Sequence, residues 1–145
     1  MLCWSLIGDS NCVFCRNALE SRDHLFFDCS FTKRIWVSIM RLCLVSNPLF
    51  SWEDLIEWSS SNLKGKGMRS NICRLGLWAA VYHIWLQHNA IIHGGHIKTE
   101  EQIIKLIRKD VKARSENMLS YCDSILNRVL CCNWGIHSLV LRRKM

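Results

Sequence analysis

Cys12-Val-Phe-Cys15, then eight residues, then His24-Leu-Phe-Phe-Asp-Cys29: this stretch decides how the chain is read. Two thiols separated by two residues suit one tight knuckle. A His and a Cys separated by four residues suit a short helical or looped second arm. Together they supply three sulfurs and one imidazole nitrogen, a donor set for tetrahedral Zn2+ rather than for Mg2+ or Ca2+. Four protein donors leave no open position, so one structural zinc ion held by Cys12, Cys15, His24 and Cys29 is expected. Two other readings compete: a chance cluster in a Cys-rich chain, and a redox Cys-x-x-Cys. The redox motif normally sits between a strand and a helix of a βαβ unit, and no such pattern surrounds Cys12.

Working outward, the chain has 145 residues, half of them hydrophobic, with seven Trp and one Pro. That is enough for one domain, or a small module joined to a helical body, with several indoles in the core. Nine Cys is many for this length. The amino terminus has no basic n-region and too short an apolar run for a signal peptide, so an intracellular compartment, cytoplasmic or nuclear, is expected. In a reducing compartment paired Cys more often means metal than disulfide. Cys3, Cys43, Cys73, Cys122, Cys131 and Cys132 lack a ligand pattern and are expected to be small buried hydrophobes. The longest apolar stretch, Leu75 to Leu86, is shorter than the about twenty residues of a membrane span, so no transmembrane segment and no membrane partner are expected. The formal charge is +7. Three thiolates around one Zn2+ contribute a net −1, leaving about +6, a moderate excess compatible with RNA or DNA and equally with a bland basic protein.

Apolar spacings of three and four place helices along the rest of the chain. Ser30 reads as the N-cap of a helix carrying Phe31, Ile35, Trp36, Ile39, Met40 and Cys43, ended by Asn47-Pro48. Ser51 opens a shorter helix from Trp52 to about Ser60. Ser59-Ser-Ser-Asn and Lys64-Gly-Lys-Gly read as a linker. From Met68 to His93 runs a segment apolar on most of its circumference, a buried central helix with Ile72, Leu75, Ala79, Tyr82, Leu86 and Asn89 on one stripe. Gly94-Gly95 stops it. Thr99-Glu-Glu-Gln102 is a capping box opening a helix whose buried stripe is Ile103, Ile107, Val111 and Met118. Beyond Tyr121 the signal weakens, and Leu139 to Leu141 with Arg142-Arg-Lys-Met145 reads as a loosely docked tail.

Outside the Cys/His set, chemistry is sparse. His83, His88 and His93 are five apart, which turns each by about 140° on an α-helix, and His96 lies beyond a Gly-Gly break, so surface or packing roles are expected. Lys105, Arg108, Lys109 and Lys112 share a helical face that either lies along phosphates or is simply solvated. Lys64, Lys66 and Arg69, and Arg142-Arg143-Lys144, read as mobile positive charge. Phe14 between the knuckle thiols is the best base-stacking candidate, with Arg16 beside it. Phe26, Phe27 and Trp36 are expected to pack the module against the helical body. No phosphate-binding Gly loop, no Gly-x-Ser-x-Gly and no small-molecule site stands out, so no enzyme is expected.

One resemblance covers much of this. Cys12-x-x-Cys15, then Glu20-Ser21-x-x-His24-Leu-Phe-Phe-x-Cys29, then Phe31 and Ile35-Trp36, resembles the zinc-binding domain at the carboxyl end of plant LINE-type reverse transcriptases. Ser51-Trp52, Ala79 to Trp85 with Asn89, and Glu101 to Arg114 resemble that family's helical extension. The match is tight over about 25 residues and looser over the next eighty or so. The resemblance implies that Cys12, Cys15, His24 and Cys29 are the zinc ligands. It also implies a role in positioning RNA or DNA for reverse transcription, with a reverse transcriptase polypeptide as a partner. The chain departs where the family's Arg before Asn is His88 and where an aromatic is usual at His93. The family's stretch upstream of the first Cys pair and its polymerase are expected to be missing, leaving a detached piece or relic of such an element.

The expectation is thus a mainly α fold: a small CCHC zinc knuckle docked on a body of about four helices. Residues 1–45 would form the knuckle and following helix, 46–125 the helical body, and 126–145 a loosely ordered basic tail. The expected function is a noncatalytic zinc-binding module contacting RNA or DNA. The alternative is a structural or protein-interaction domain whose zinc only stabilises the fold, or an inert relic.

Overall fold

Five α-helices follow a small amino-terminal hairpin in the computed structural model, which describes residues 11–46, 51–117, 120–137 and 140–142, with Arg142 described by its backbone alone. Expectations placed on Cys3, Asn47-Pro48, Met118, Leu139 and Arg143-Lys144-Met145 lie outside these residues. The helices are α1 (Ser30–Leu42), α2 (Trp52–Asn62), α3 (Met68–Ile92), α4 (Glu100–Glu116) and α5 (Ile125–Trp134). Asn11 bridges Leu19 in the hairpin, and β1 (Tyr121–Cys122) pairs in parallel with β2 (Leu141–Arg142). The fold is mainly α with the Cys/His cluster near its amino end, as the apolar spacing predicts. No helix among the described residues is long and apolar enough to cross a membrane.

The helix starts follow capping chemistry. Ser51 Oγ accepts from the Asp54 amide, and Thr99 and Gln102 form the reciprocal capping box. Gly94, at φ 83°, takes the left-handed conformation that ends α3. The predicted cap of α1 shifts by one residue: Cys29 is the N-cap and Ser30 the first helical residue. The predicted linker shrinks, because the serines 59–61 belong to α2.

Helices α1, α3, α4 and α5 each pack against the other three. Ile35, Ile39, Ile72, Ile84, Ile103, Ile107 and Trp134 are all at most 1% exposed. Each full burial of that kind contributes about 1.5–3 kcal/mol. Polar contacts bind the elements further: Arg34 of α1 pairs with Glu100 of α4 at 2.7 Å, and His83 Nε2 of α3 lies 2.5 Å from Asp110 Oδ2 of α4.

Three expectations about this body are corrected. On α3 the buried face is Met68, Ile72, Cys73, Gly76, Ala80, Ile84, Gln87 and His88, while Tyr82 and Leu86 are exposed. The predicted stripe is off in phase because α3 is apolar nearly all round. Its burial is set instead by Gly76, which lets the Trp134 indole lie on the helix backbone; a Cβ at Gly76 would sit 3.0 Å from Trp134 Cη2. The stretch expected to form a loose basic tail begins with α5, which buries Leu130, Cys131 and Trp134, and Trp134 Nε1 donates to the Leu42 carbonyl at 2.9 Å. Its apolar stripe is one short helix long, too little to register as periodicity. Cys43, Cys73 and Cys131 are buried as expected, but Cys122 and Cys132 are exposed.

Candidate metal centre

The first arm of the centre is a turn. Arg16 N–H donates to Cys12 O at 2.9 Å, and Cys12 N–H donates to Ala18 O at 2.8 Å. Arg16 takes φ 55°, which reverses the chain just after the second thiol. The Asn17 amide then points at Cys15 Sγ, 3.5 Å away. Val13, inside the knuckle, donates its amide to Glu20 Oε2 at 3.1 Å.

The second arm is a single π-helical turn, His24–Asp28. Ser21 Oγ accepts from the His24 amide at 3.0 Å and so starts it. On an α-helix His24 and Cys29 would diverge by about 140°. The wider π turn closes an i+5 bond, Cys29 N–H to His24 O at 2.8 Å, and brings the two residues to one side. This is the physical reason a His and a Cys separated by four residues work as a pair here. Leu25, Phe26 and Phe27 are buried on the far side of the turn. Phe27 stacks on Trp36 at 5.4 Å and meets Trp52 edge-on at 5.0 Å, anchoring the module to α1 and α2 as expected.

The four donor atoms of Cys12, Cys15, His24 and Cys29 lie within 4.8 Å of one another. Tetrahedral zinc with bonds of about 2.3 Å to sulfur and about 2.0–2.1 Å to nitrogen requires S–S edges of about 3.8 Å and S–N edges of about 3.6 Å. Cys12 Sγ and Cys29 Sγ are 3.8 Å apart, and Cys15 Sγ and His24 Nε2 are 3.3 Å apart. The residues therefore fit the ion. Cys12 and Cys29 are fully buried, whereas Cys15 and His24 are half-buried. The Cys12 thiol donates to Cys29, and this bond, assisted by the Thr32 and Phe31 amides of α1, outweighs burial and pushes Cys29 down to about 5. The same bond, with burial, pushes Cys12 up. The protons on the thiols are what a bound metal would displace. Among the described residues no second group of three or more such donors forms, so His83, His88, His93 and His96 build no second metal site.

The expected nucleic-acid contacts fare unevenly. Lys105, Lys109 and Lys112 are exposed on the outer face of α4. Arg108 leaves that face: it is half-buried, with its guanidinium beside Gly135 at the end of α5. Phe14 is not a free stacking ring, because it stacks on Phe31 at 4.9 Å and meets His88 edge-on at 6.4 Å. The knuckle folds back onto α1, and that removes its ring from the tip. Arg16 remains exposed there. Arg69 is no mobile charge either, since it donates to Cys43 O and Leu44 O at 3.1 and 3.0 Å.

Sequence reasoning missed the role of Glu20 and His88. Glu20 Oε1 lies 2.6 Å from His88 Nε2, so Glu20 joins the knuckle to α3. No signal in the sequence pairs them, because the two residues lie 68 positions apart.

Fold and site together define a small helical protein with a Cys3His metal centre at its amino end. A family model described as zinc-binding in reverse transcriptase matches residues 1–36, a segment that contains all four donors and stops inside α1. No curated protein and no solved structure matches the chain.

Proposed function

We propose that the chain is a noncatalytic zinc-binding module of a reverse-transcriptase polypeptide, and that it contacts RNA or DNA. The observation that carries the reading is the donor geometry: three sulfurs and one nitrogen gathered within 4.8 Å of one another, inside the segment that the family model matches. One ion with four protein donors has no vacant position for a substrate, so its work is to hold the hairpin and π turn against α1. The charge supports the nucleic-acid part. Lys105, Lys109 and Lys112 stand exposed along one helix, and the chain is +7 overall. Arg16 adds a further cation at the knuckle tip.

The test is binding of the reduced, zinc-loaded chain to single-stranded RNA and DNA as salt is raised. Affinity should fall with salt. Replacing Lys105, Lys109 and Lys112 by Gln should flatten the slope by about 0.7 for each phosphate that these lysines neutralise. No binding at low salt would overturn the proposal.

One observation favours a second reading, a protein-interaction domain. Between α2 and α3 lies an open apolar groove of about 500 Å³ lined by Trp52, Ile56, Leu63, Leu77, Trp78 and Val81. Trp78 is 73% exposed and Ile56 63% exposed, a large apolar surface for so small a domain. On this reading the partner is the rest of the polymerase polypeptide, and nucleic-acid binding by the isolated chain is absent.

A further inference from the structure

Glu20 and His88 lie 68 positions apart in sequence, and their side chains meet at 2.6 Å. The other carboxylate oxygen, Oε2, accepts the amide of Val13 at 3.1 Å, the backbone group between the two knuckle cysteines. Both side chains are largely withdrawn from water, His88 at 3% exposure and Glu20 at 13%. Aromatic rings close the surroundings: Trp85 stacks on the His88 imidazole at 5.4 Å and 12°, and Phe14 meets its edge. A hydrogen bond out of water to an ionised group is stronger than one at the surface, and leaving either partner unpaired there is costly.

A carboxylate that holds a ligand-bearing loop with one oxygen and a histidine of another element with the other is the arrangement by which outer-shell groups orient metal ligands. We infer that Glu20 and His88 form a latch that couples zinc occupancy of the Cys12/Cys15/His24/Cys29 centre to docking of the knuckle on α3. Glu20 positions the Val13 amide, and with it the Cys12–Cys15 turn; His88 positions Glu20. Both are positioning residues, since neither is among the four donors. The coupling is reciprocal: zinc orders the end of α3 around His88, and an intact latch tightens zinc. The inference rests on the zinc reading of the site and adds that the centre is built by two parts of the chain, with part of its affinity stored in α3, outside the segment that the family model matches.

The experiment is a competition between a chromophoric chelator and the reduced full chain for Zn2+. Glu20→Gln, His88→Gln and the double variant are compared with the wild type. His83→Gln is the control, because His83 lies on α3 as His88 does, but its partner is Asp110 of α4 and not the knuckle. Each latch variant should bind zinc about 10- to 100-fold more weakly. The double variant should be no weaker than the weaker single, and His83→Gln should bind as the wild type does. A second readout uses the unaltered protein: added zinc should slow amide hydrogen exchange over residues 84–92. Latch variants that bind zinc as tightly as the wild type, or wild-type exchange over 84–92 that zinc leaves unchanged, overturn the latch alone. A wild type that takes up no zinc overturns the zinc reading and the latch with it.

Discussion

Trp134 is the residue on which the carboxyl-terminal part of the fold turns, and Trp134→Ala measures it. The indole is 1% exposed, lies on the backbone of α3 at Gly76, and donates to the Leu42 carbonyl. Removing it creates a cavity where α1, α3 and α5 meet. Truncations of buried aromatics cost about 3–5 kcal/mol, against about 5–15 kcal/mol for a whole domain. The Leu42 carbonyl keeps Asn133 Nδ2 at 3.3 Å as a donor, so no orphaned acceptor adds to that figure. The corresponding drop in Tm is about 6–20 °C. Urea unfolding of the reduced, zinc-loaded protein, with m unchanged, is the assay. Gly76→Ala supplies an internal check. In the wild type its Cβ would lie 3.0 Å from Trp134 Cη2 and 3.3 Å from Cζ2, an overpacking worth about 1–3 kcal/mol. In the Trp134→Ala background the clash vanishes, and the same change should stabilise α3 by up to about 1 kcal/mol through helix propensity. A Trp134→Ala loss below about 1 kcal/mol, or a Gly76→Ala effect equal in both backgrounds, refutes the packing of α5 on α3.

Further expected outcomes follow from other contacts. Removing zinc with a chelator should melt the hairpin and the π turn, seen as faster amide exchange over residues 11–29, because metal binding free energy there is folding free energy. Cys29→Ser should abolish tight zinc binding and leave far-UV helicity largely intact, since the body is held by its own core; wild-type zinc affinity in this variant would remove Cys29 from the donor set. Thr99→Ala removes the oxygen that accepts the Gln102 amide, and a loss of about 0.5–2 kcal/mol in urea unfolding is expected; an unchanged midpoint would show that the capping box contributes nothing.

Much of this was legible in residue spacing where the local signal is chemically narrow. Cys12, Cys15, His24 and Cys29 stand out because few arrangements of soft donors suit anything but a tetrahedral metal. Ser51 and Thr99 mark helix starts because their hydroxyls satisfy particular amides. The phase of α3 was not legible, because Trp78, Tyr82 and Leu86 are as apolar as the residues that are buried. Its buried polar residues, Gln87 and His88, are chosen by distant partners: the His96 carbonyl at 2.9 Å and Glu20. The π turn was hidden for a related reason. An i+5 hydrogen bond has no propensity signature, and it is stable here because the buried Leu25, Phe26 and Phe27 hold its far side. Phe14 was misplaced because whether a knuckle tip faces solvent depends on where α1 begins, and Phe31 stands there to receive it.

Whether these four side chains hold one zinc ion is tested most directly by the metal content of the reduced, freshly purified chain, followed by replacement with Co2+ and recording of its visible spectrum. One equivalent of zinc is expected, with a tetrahedral, thiolate-rich Co2+ spectrum that Cys29→Ser loses. Less than about half an equivalent of zinc, or a Co2+ spectrum without thiolate-to-metal bands, would contradict the four-donor centre.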